Sequence, residues 1–183
     1  MRTPLHVLAV TSACIVSACS LGTSAVLRPY PDNWPRPVST TGCATLAGNY
    51  NMRGSGAFQS EPEAFVPSVF GLFGRPVSAH SQHVSLELSK DQSTLSLTSV
   101  GAENPQIATE SVVCNQGSVV RTEEREATGD GTSLRWKATV TLSKATDGSL
   151  IAHSQGSYHS ADLFFRSTRE VDAWYRYLPQ GGS

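Results

Sequence analysis

The chain has 183 residues, 14 Lys+Arg against 15 Asp+Glu, a formal net charge of −1 and 39% hydrophobic residues. This is the size of one domain, and its composition is neither fibrous nor strongly disordered. The balanced charge supplies no basic field to neutralise phosphates, so no nucleic-acid partner is expected.

The first eighteen residues stand apart. Arg2 and the amino terminus form a short positive end, and Leu5 to Val16 is mostly apolar. That is the order of an export signal. The run is too short for a span, which needs about 20 apolar residues, and no later segment qualifies. Next come Val16, Ser17, Ala18 and Cys19, with an aliphatic residue three positions before a cysteine and small residues beside it. This resembles the lipobox of bacterial lipoproteins, although Val16 stands where Leu is commoner. The resemblance implies cleavage before Cys19, a diacylglyceride on its thiol and an acyl chain on the new amino terminus. Acyl chains there would hold the protein to a membrane. Ser20, rather than Asp, is similar to lipoproteins carried to the outer membrane of a Gram-negative envelope. The expected location is therefore the cell envelope, lipid-anchored and facing the periplasm. An ordinary secretory signal ending near Ala18 is the alternative.

Residues 19–42 read as a lipid-anchored flexible tether, because Pro29, Pro31, Pro35 and Pro37 favour extended backbone and Ser, Thr and Gly fill much of the remainder. Trp34 is the exception, and packing back on the body is its expected role. A single β domain is expected over residues 43–180. It opens with Leu46, Gly48 and Tyr50 on one parity, similar to the first strand of small envelope β-proteins. Pro62, Pro67 and Pro76 interrupt the next stretch, where Phe65, Val69, Leu72 and Phe73 are spaced for a short helix that would close one end of the core.

From residue 83 the hydrophobic period is two. Val84, Leu86 and Leu88 alternate with Ser85, Glu87 and Ser89, and Leu95 and Leu97 follow after a Lys90–Ser93 loop. Ile107 to Cys114 and Ser118 to Glu123 form a second pair around Asn115-Gln116-Gly117. The charged stretch Arg121 to Glu126 is expected to end a strand in solvent. Leu134, Trp136, Ala138, Val140 and Leu142 make the clearest strand, followed by a Thr146–Ser149 turn and a strand over Leu150 to Ser154. Two further strands are expected from Tyr158 to Leu178. One contains Leu163, Phe164 and Phe165, the other Val171, Ala173, Tyr175 and Tyr177, with Ser167 to Glu170 between them. The fold class is all-β, with about eight or nine strands. Nearly sequential hairpins favour an antiparallel barrel or strongly curved sheet, similar to lipocalin-like envelope proteins.

With Cys14 removed in the signal and Cys19 acylated, Cys43 and Cys114 remain. An exported location permits a disulfide between them; two buried thiols or pairing with another chain are the alternatives. No catalytic motif emerges. His80 and His83 are too few to hold a metal. His153, His159 and Asp162 could gather with Ser154, Ser157 or Ser160, but no Gly-x-Ser-x-Gly elbow accompanies them. Glu123, Glu124 and Glu126 read as surface charge. Arg166, Arg169 and Arg176, interleaved with Trp174, Tyr175 and Tyr177, read as strand faces before they read as a stacking surface. No catalytic residue, metal or cofactor is expected, and no ligand-binding residue is singled out. The expected function is a non-enzymatic envelope lipoprotein whose β domain is structural or binds another envelope protein. The alternative is a carrier for a lipid or small hydrophobic molecule, which would need an unfilled apolar cavity.

Overall fold

The computed structural model describes residues 29–57, 67–129, 132–161 and 166–181. The signal, the lipobox with Cys19, and the expected positions Phe65, Asp162 and Leu163 to Phe165 lie outside the described residues.

Ten strands form two antiparallel sheets among the described residues. The first sheet contains β1 (Gly48–Asn51), β3 (His83–Leu88), β4 (Thr94–Val100) and β5 (Ile107–Ser111), in the order β1-β3-β4-β5. The second contains β2 (Ser55–Ala57), β6 (Val113–Asn115), β7 (Ser118–Gly129), β8 (Thr132–Lys144), β9 (Leu150–Ala161) and β10 (Arg166–Tyr177), in the order β2-β10-β9-β8-β7-β6.

Neither sheet closes, so the expected barrel or strongly curved sheet is corrected to two separate sheets. The reason lies at two corners. At one, the amide of Val112 still donates to the carbonyl of Ser93, while Val113 already pairs with Val120 of the other sheet. At the second, β1 passes into β2 through Met52, Arg53 and Gly54. Segments that follow one another along an extended run lie end to end and cannot form a ladder together. Gly54 marks how tight the second corner is, since a Cβ there would stand 2.3 Å from the carbonyl oxygen of Arg176. The chain after β10 adds only a bridge to the edge of β1, between Tyr50 and Pro179.

The alternation read from the sequence puts Val84, Leu86, Leu95 and Leu97 of one sheet in a single core with Val119, Val140, Leu142, Ala152, Ala173 and Tyr175 of the other. Tyr50, Tyr177, Phe70 and Phe73 fill the centre, each at most 1% exposed. The expected short helix is present as α1 (Val69–Leu72), capped by the Ser68 hydroxyl, which accepts from the amide of Gly71 at 3.0 Å. Its Val69 and Phe70 enter the core, and the Tyr177 hydroxyl donates to the carbonyl of Pro67 at 2.9 Å. Among the described residues, these side chains occupy the space between the two sheets.

Cys43 and Cys114, 71 positions apart in sequence, form a disulfide with Cα atoms 5.8 Å apart. It joins the entry of the body to β6. Gln92, held at φ 58° in the β3–β4 turn, accepts from the amide of Cys43 at 2.6 Å and seats that hairpin beside the bond.

Several strand boundaries differ from expectation. Ile107 to Cys114 is divided between two sheets, for the reason given above. β9 runs on through Ala161 instead of ending at Ser154, and Ser167 to Glu170 lies within β10 instead of connecting two strands. Polar sequence ends a strand only if the ladder also ends, and here β8 supplies backbone partners to β9 as far as Ala161.

Candidate interaction surface

The second sheet outgrows the first. β7, β9 and β10 have 12 residues and β8 has 13, against at most 7 in any strand of the first sheet. At roughly 3.4 Å per residue, β8 extends about 44 Å and β4 about 24 Å. Cross-strand register resolves the inner face into rows. The row Val119, Leu142, Ala152 and Tyr175 is buried against the other sheet. Two rows further on are Glu123, Ala138, Gly156 and Val171; then Arg125 and Trp136; then Ala127, Leu134, Ser160 and Ser167. None of these outer-row side chains is fully buried, and Leu134 is 45% exposed. The result is a four-stranded ledge projecting past the core. Gly156 keeps its floor shallow, since a Cβ there would come within 3.0 Å of the carbonyl oxygen of Lys137.

A chain of ion pairs marks the boundary between core and ledge. Glu110 on β5 is 4% exposed and meets Arg75 at 2.7 Å and Arg121 at 2.8 Å. Arg121 reaches on to Glu123 at 2.6 Å, and Glu123 also pairs with Arg125. Arg121 stands 5.7 Å from the centre of the Phe73 ring, and Arg125 stands 5.3 Å from that of Trp136. The hydrogen bond and charge of Glu110 raise the Arg75 pKa further. Carboxylates this buried need partners on both oxygens. The expectation that Arg121 to Glu126 ends a strand and meets solvent is corrected in part: β7 runs on to Gly129, and Glu124, Arg125 and Glu126 are exposed as expected, whereas Arg121 and Glu123 are not. Arg121 and Glu123 are 12% and 11% exposed in the middle of β7. The signal was present in the sequence, because both share the parity of Val119, and Glu110 shares that of Val112.

The opposite face of the ledge is polar. Arg135 and Glu124 are joined across the strands, with Nε to Oε1 at 2.8 Å. The hydrogen bond from Arg135 lowers the Glu124 carboxyl, and its charge adds to the effect. Lys137, Ser157 and His159 lie beside them around a shallow hollow.

Nearer the core end of this outer face lies an aromatic cluster that sequence reading missed. His153 and Trp174, direct cross-strand partners, stack with ring centres 3.7 Å apart and planes 2° from parallel. His153 Nε2 lies 2.6 Å from Asp172 Oδ1. Tyr30 meets Trp174 edge-on at 5.1 Å, and Trp34 stands 6.4 Å beyond Tyr30. Half-buried Trp34 thus meets Tyr30 of its own segment, and it is Tyr30 that contacts the body. The backbone follows: the amide of Val38 donates to the carbonyl of Lys144 at 2.7 Å, and Thr146 donates to Arg36 at 3.1 Å. Burial raises the Tyr30 hydroxyl, opposed by the charges of Arg36 and Arg176. Nearby Asp147 is lowered although burial acts to raise it, because Ser149 and Arg176 together outweigh that cost. Only long-range pairing could bring residues 30 and 174 together, and no local pattern announces it.

The other candidates do not converge. His153 pairs with Asp172, while Ser154 points to the opposite face by strand alternation. His159 bonds Thr168 at 3.0 Å, and Ser160 bonds Ser167 at 2.7 Å. His80 is exposed in a turn, and His83 is half-buried at the start of β3. No group of three metal-ligating side chains occurs among the described residues. No helix among them is long and apolar enough to cross a membrane. Comparison with protein-family models, with curated proteins and with solved structures finds no match.

Proposed function

We propose that this chain is a lipid-anchored envelope protein whose β domain is a non-enzymatic protein-interaction module, contacting another envelope protein through the projecting ledge. The observation that carries the reading is the mismatch between the two sheets. The ledge offers Leu134, Ala127, Trp136 and Val171 on a face that the first sheet does not reach. A rigid sheet with partly exposed apolar side chains and charged flanks suits a partner's surface. Contact by the face is favoured over contact by the edge. Beyond Val120 the β7 edge has no β6 partner, but Glu123, Glu124, Arg125 and Glu126 lie along it. Charges on an edge strand discourage indiscriminate pairing. Among the described residues the space between the sheets is taken by side chains, which favours an interaction module over a carrier that needs an open apolar cavity. The amino-terminal lipobox resemblance supports the anchor at Cys19 and the envelope location.

A photo-crosslinking side chain at Leu134, with the same group at exposed Glu87 as control, tests the contact in native envelopes. The expected outcome is one stoichiometric protein adduct from position 134 and none from position 87. Equal labelling at both positions, or recovery of a stoichiometric bound lipid in place of a protein, refutes it. Mass analysis of the mature amino terminus tests the anchor separately.

A further inference from the structure

We propose that Tyr30–Val38 is a fixed stay that shortens the tether and sets how far the body stands from the membrane; this rests on the anchoring reading above. Three independent observations place the stay on the outer face of the second sheet. Tyr30 seats against the Trp174–His153 stack. Two backbone hydrogen bonds and a Pro37–Ala145 bridge tie its far end to the β8–β9 corner. Ile151, on the outer-face parity through its pairing with Ser143 and Arg176, is only 1% exposed and lies outside the main core cluster. An apolar side chain buried on a solvent-side face needs a cover, and the stay crosses that end of the sheet.

The consequence is geometric. If the chain were free from Cys19 to Cys43, 24 steps would separate lipid from body, a reach of at most about 85 Å. With the stay seated, ten steps remain between Cys19 and Pro29, and the reach falls to about 36 Å. The chain leaves the body beside Trp174, on the face opposite the apolar side of the ledge. The stay therefore holds the body close to the bilayer and keeps that apolar side on the far face of the sheet from the anchor point.

The test inserts ten Gly/Ser residues between Cys19 and Pro29 of the acylated protein. The distance from a dye on the body to headgroup dyes in a nanodisc is then compared with that of the parent. A flexible segment's r.m.s. span grows as the square root of its length. With the stay seated, the span should grow by about 1.4-fold, from ten steps to twenty. With the stay free it should grow by about 1.2-fold, from 24 to 34, and that result overturns the proposal. Hydrogen exchange on the unacylated chain from Ser20 gives a second reading that needs no lipid. The Val38 and Thr146 amides should exchange at least about 100-fold more slowly than free amides, and Tyr30→Ala should remove most of that protection. Free exchange at Val38 in the parent overturns the stay whatever the state of Cys19. Absence of acyl mass on Cys19 overturns the anchor, and with it the distance claim, even if Val38 is protected.

Discussion

Breaking the Cys43–Cys114 bond should be among the most damaging single changes to stability. The bond closes a loop spanning 71 positions. In the chain-entropy treatment, a loop of that length restricts the unfolded chain by about 4.4 kcal/mol at 25 °C. The folded state should survive the loss of the bond, because Gln92 still holds the Cys43 amide at 2.6 Å and β6 still pairs with β7. The effect should therefore fall on the unfolded side of the equilibrium. For a body of this size, a urea slope of roughly 2 kcal/mol/M turns 4.4 kcal/mol into a midpoint lowered by about 2 M. The assay is urea unfolding of the chain from residue 19 onward, with Cys19→Ser, followed by far-UV circular dichroism with and without reductant. The double variant Cys43→Ser with Cys114→Ser should match the reduced protein. A midpoint shift under about 0.5 M at unchanged slope would refute the reasoning. It would mean that the unfolded chain already keeps these two positions close.

Two other perturbations address the core and its charged boundary. Arg121→Met should cost about 3–5 kcal/mol, because it leaves Glu110, 4% exposed, with Arg75 alone. Adding Glu110→Gln should recover part of that loss, and urea midpoints of the four proteins in the cycle measure how much; strict additivity would sink the idea of a coupled chain. Raising the pH should destabilise the fold through its buried tyrosines. Burial pushes the Tyr50 hydroxyl up to about 12 and also holds that of Tyr177 well above 10. An unfolded tyrosine ionises near 10, so Tyr50 contributes fully below pH 10 and loses that contribution between pH 10 and 12. The loss should be of order 2–3 kcal/mol, and Tyr50→Phe should flatten that part of the stability profile by a similar amount. Identical profiles for the two proteins would contradict this.

The alternation of Val84-Leu86-Leu88 and of Leu134-Trp136-Ala138-Val140-Leu142 was legible in the sequence because side-chain direction along a strand is a local property. So were the all-β class, the short helix at Val69 and the pairing of the two remaining cysteines, the last because few partners were left. The proposal of an amino-terminal anchor rests on sequence alone, since the described residues begin at Pro29. Tertiary structure decided what depends on neighbours distant in the chain. It divided one apolar run at Val112 between two sheets, and it carried β9 and β10 through stretches that read as turns. It also chose the partners of the inward charges, joining Arg121 to Glu110 of the other sheet and to Glu123. Each of these outcomes depends on which backbone lies alongside, and hydrophobic period carries no information about that. The same limit hid the meeting of Tyr30 with Trp174, 144 positions apart in sequence. Such a contact forms only once the ladder from β8 to β10 has built the surface that receives it.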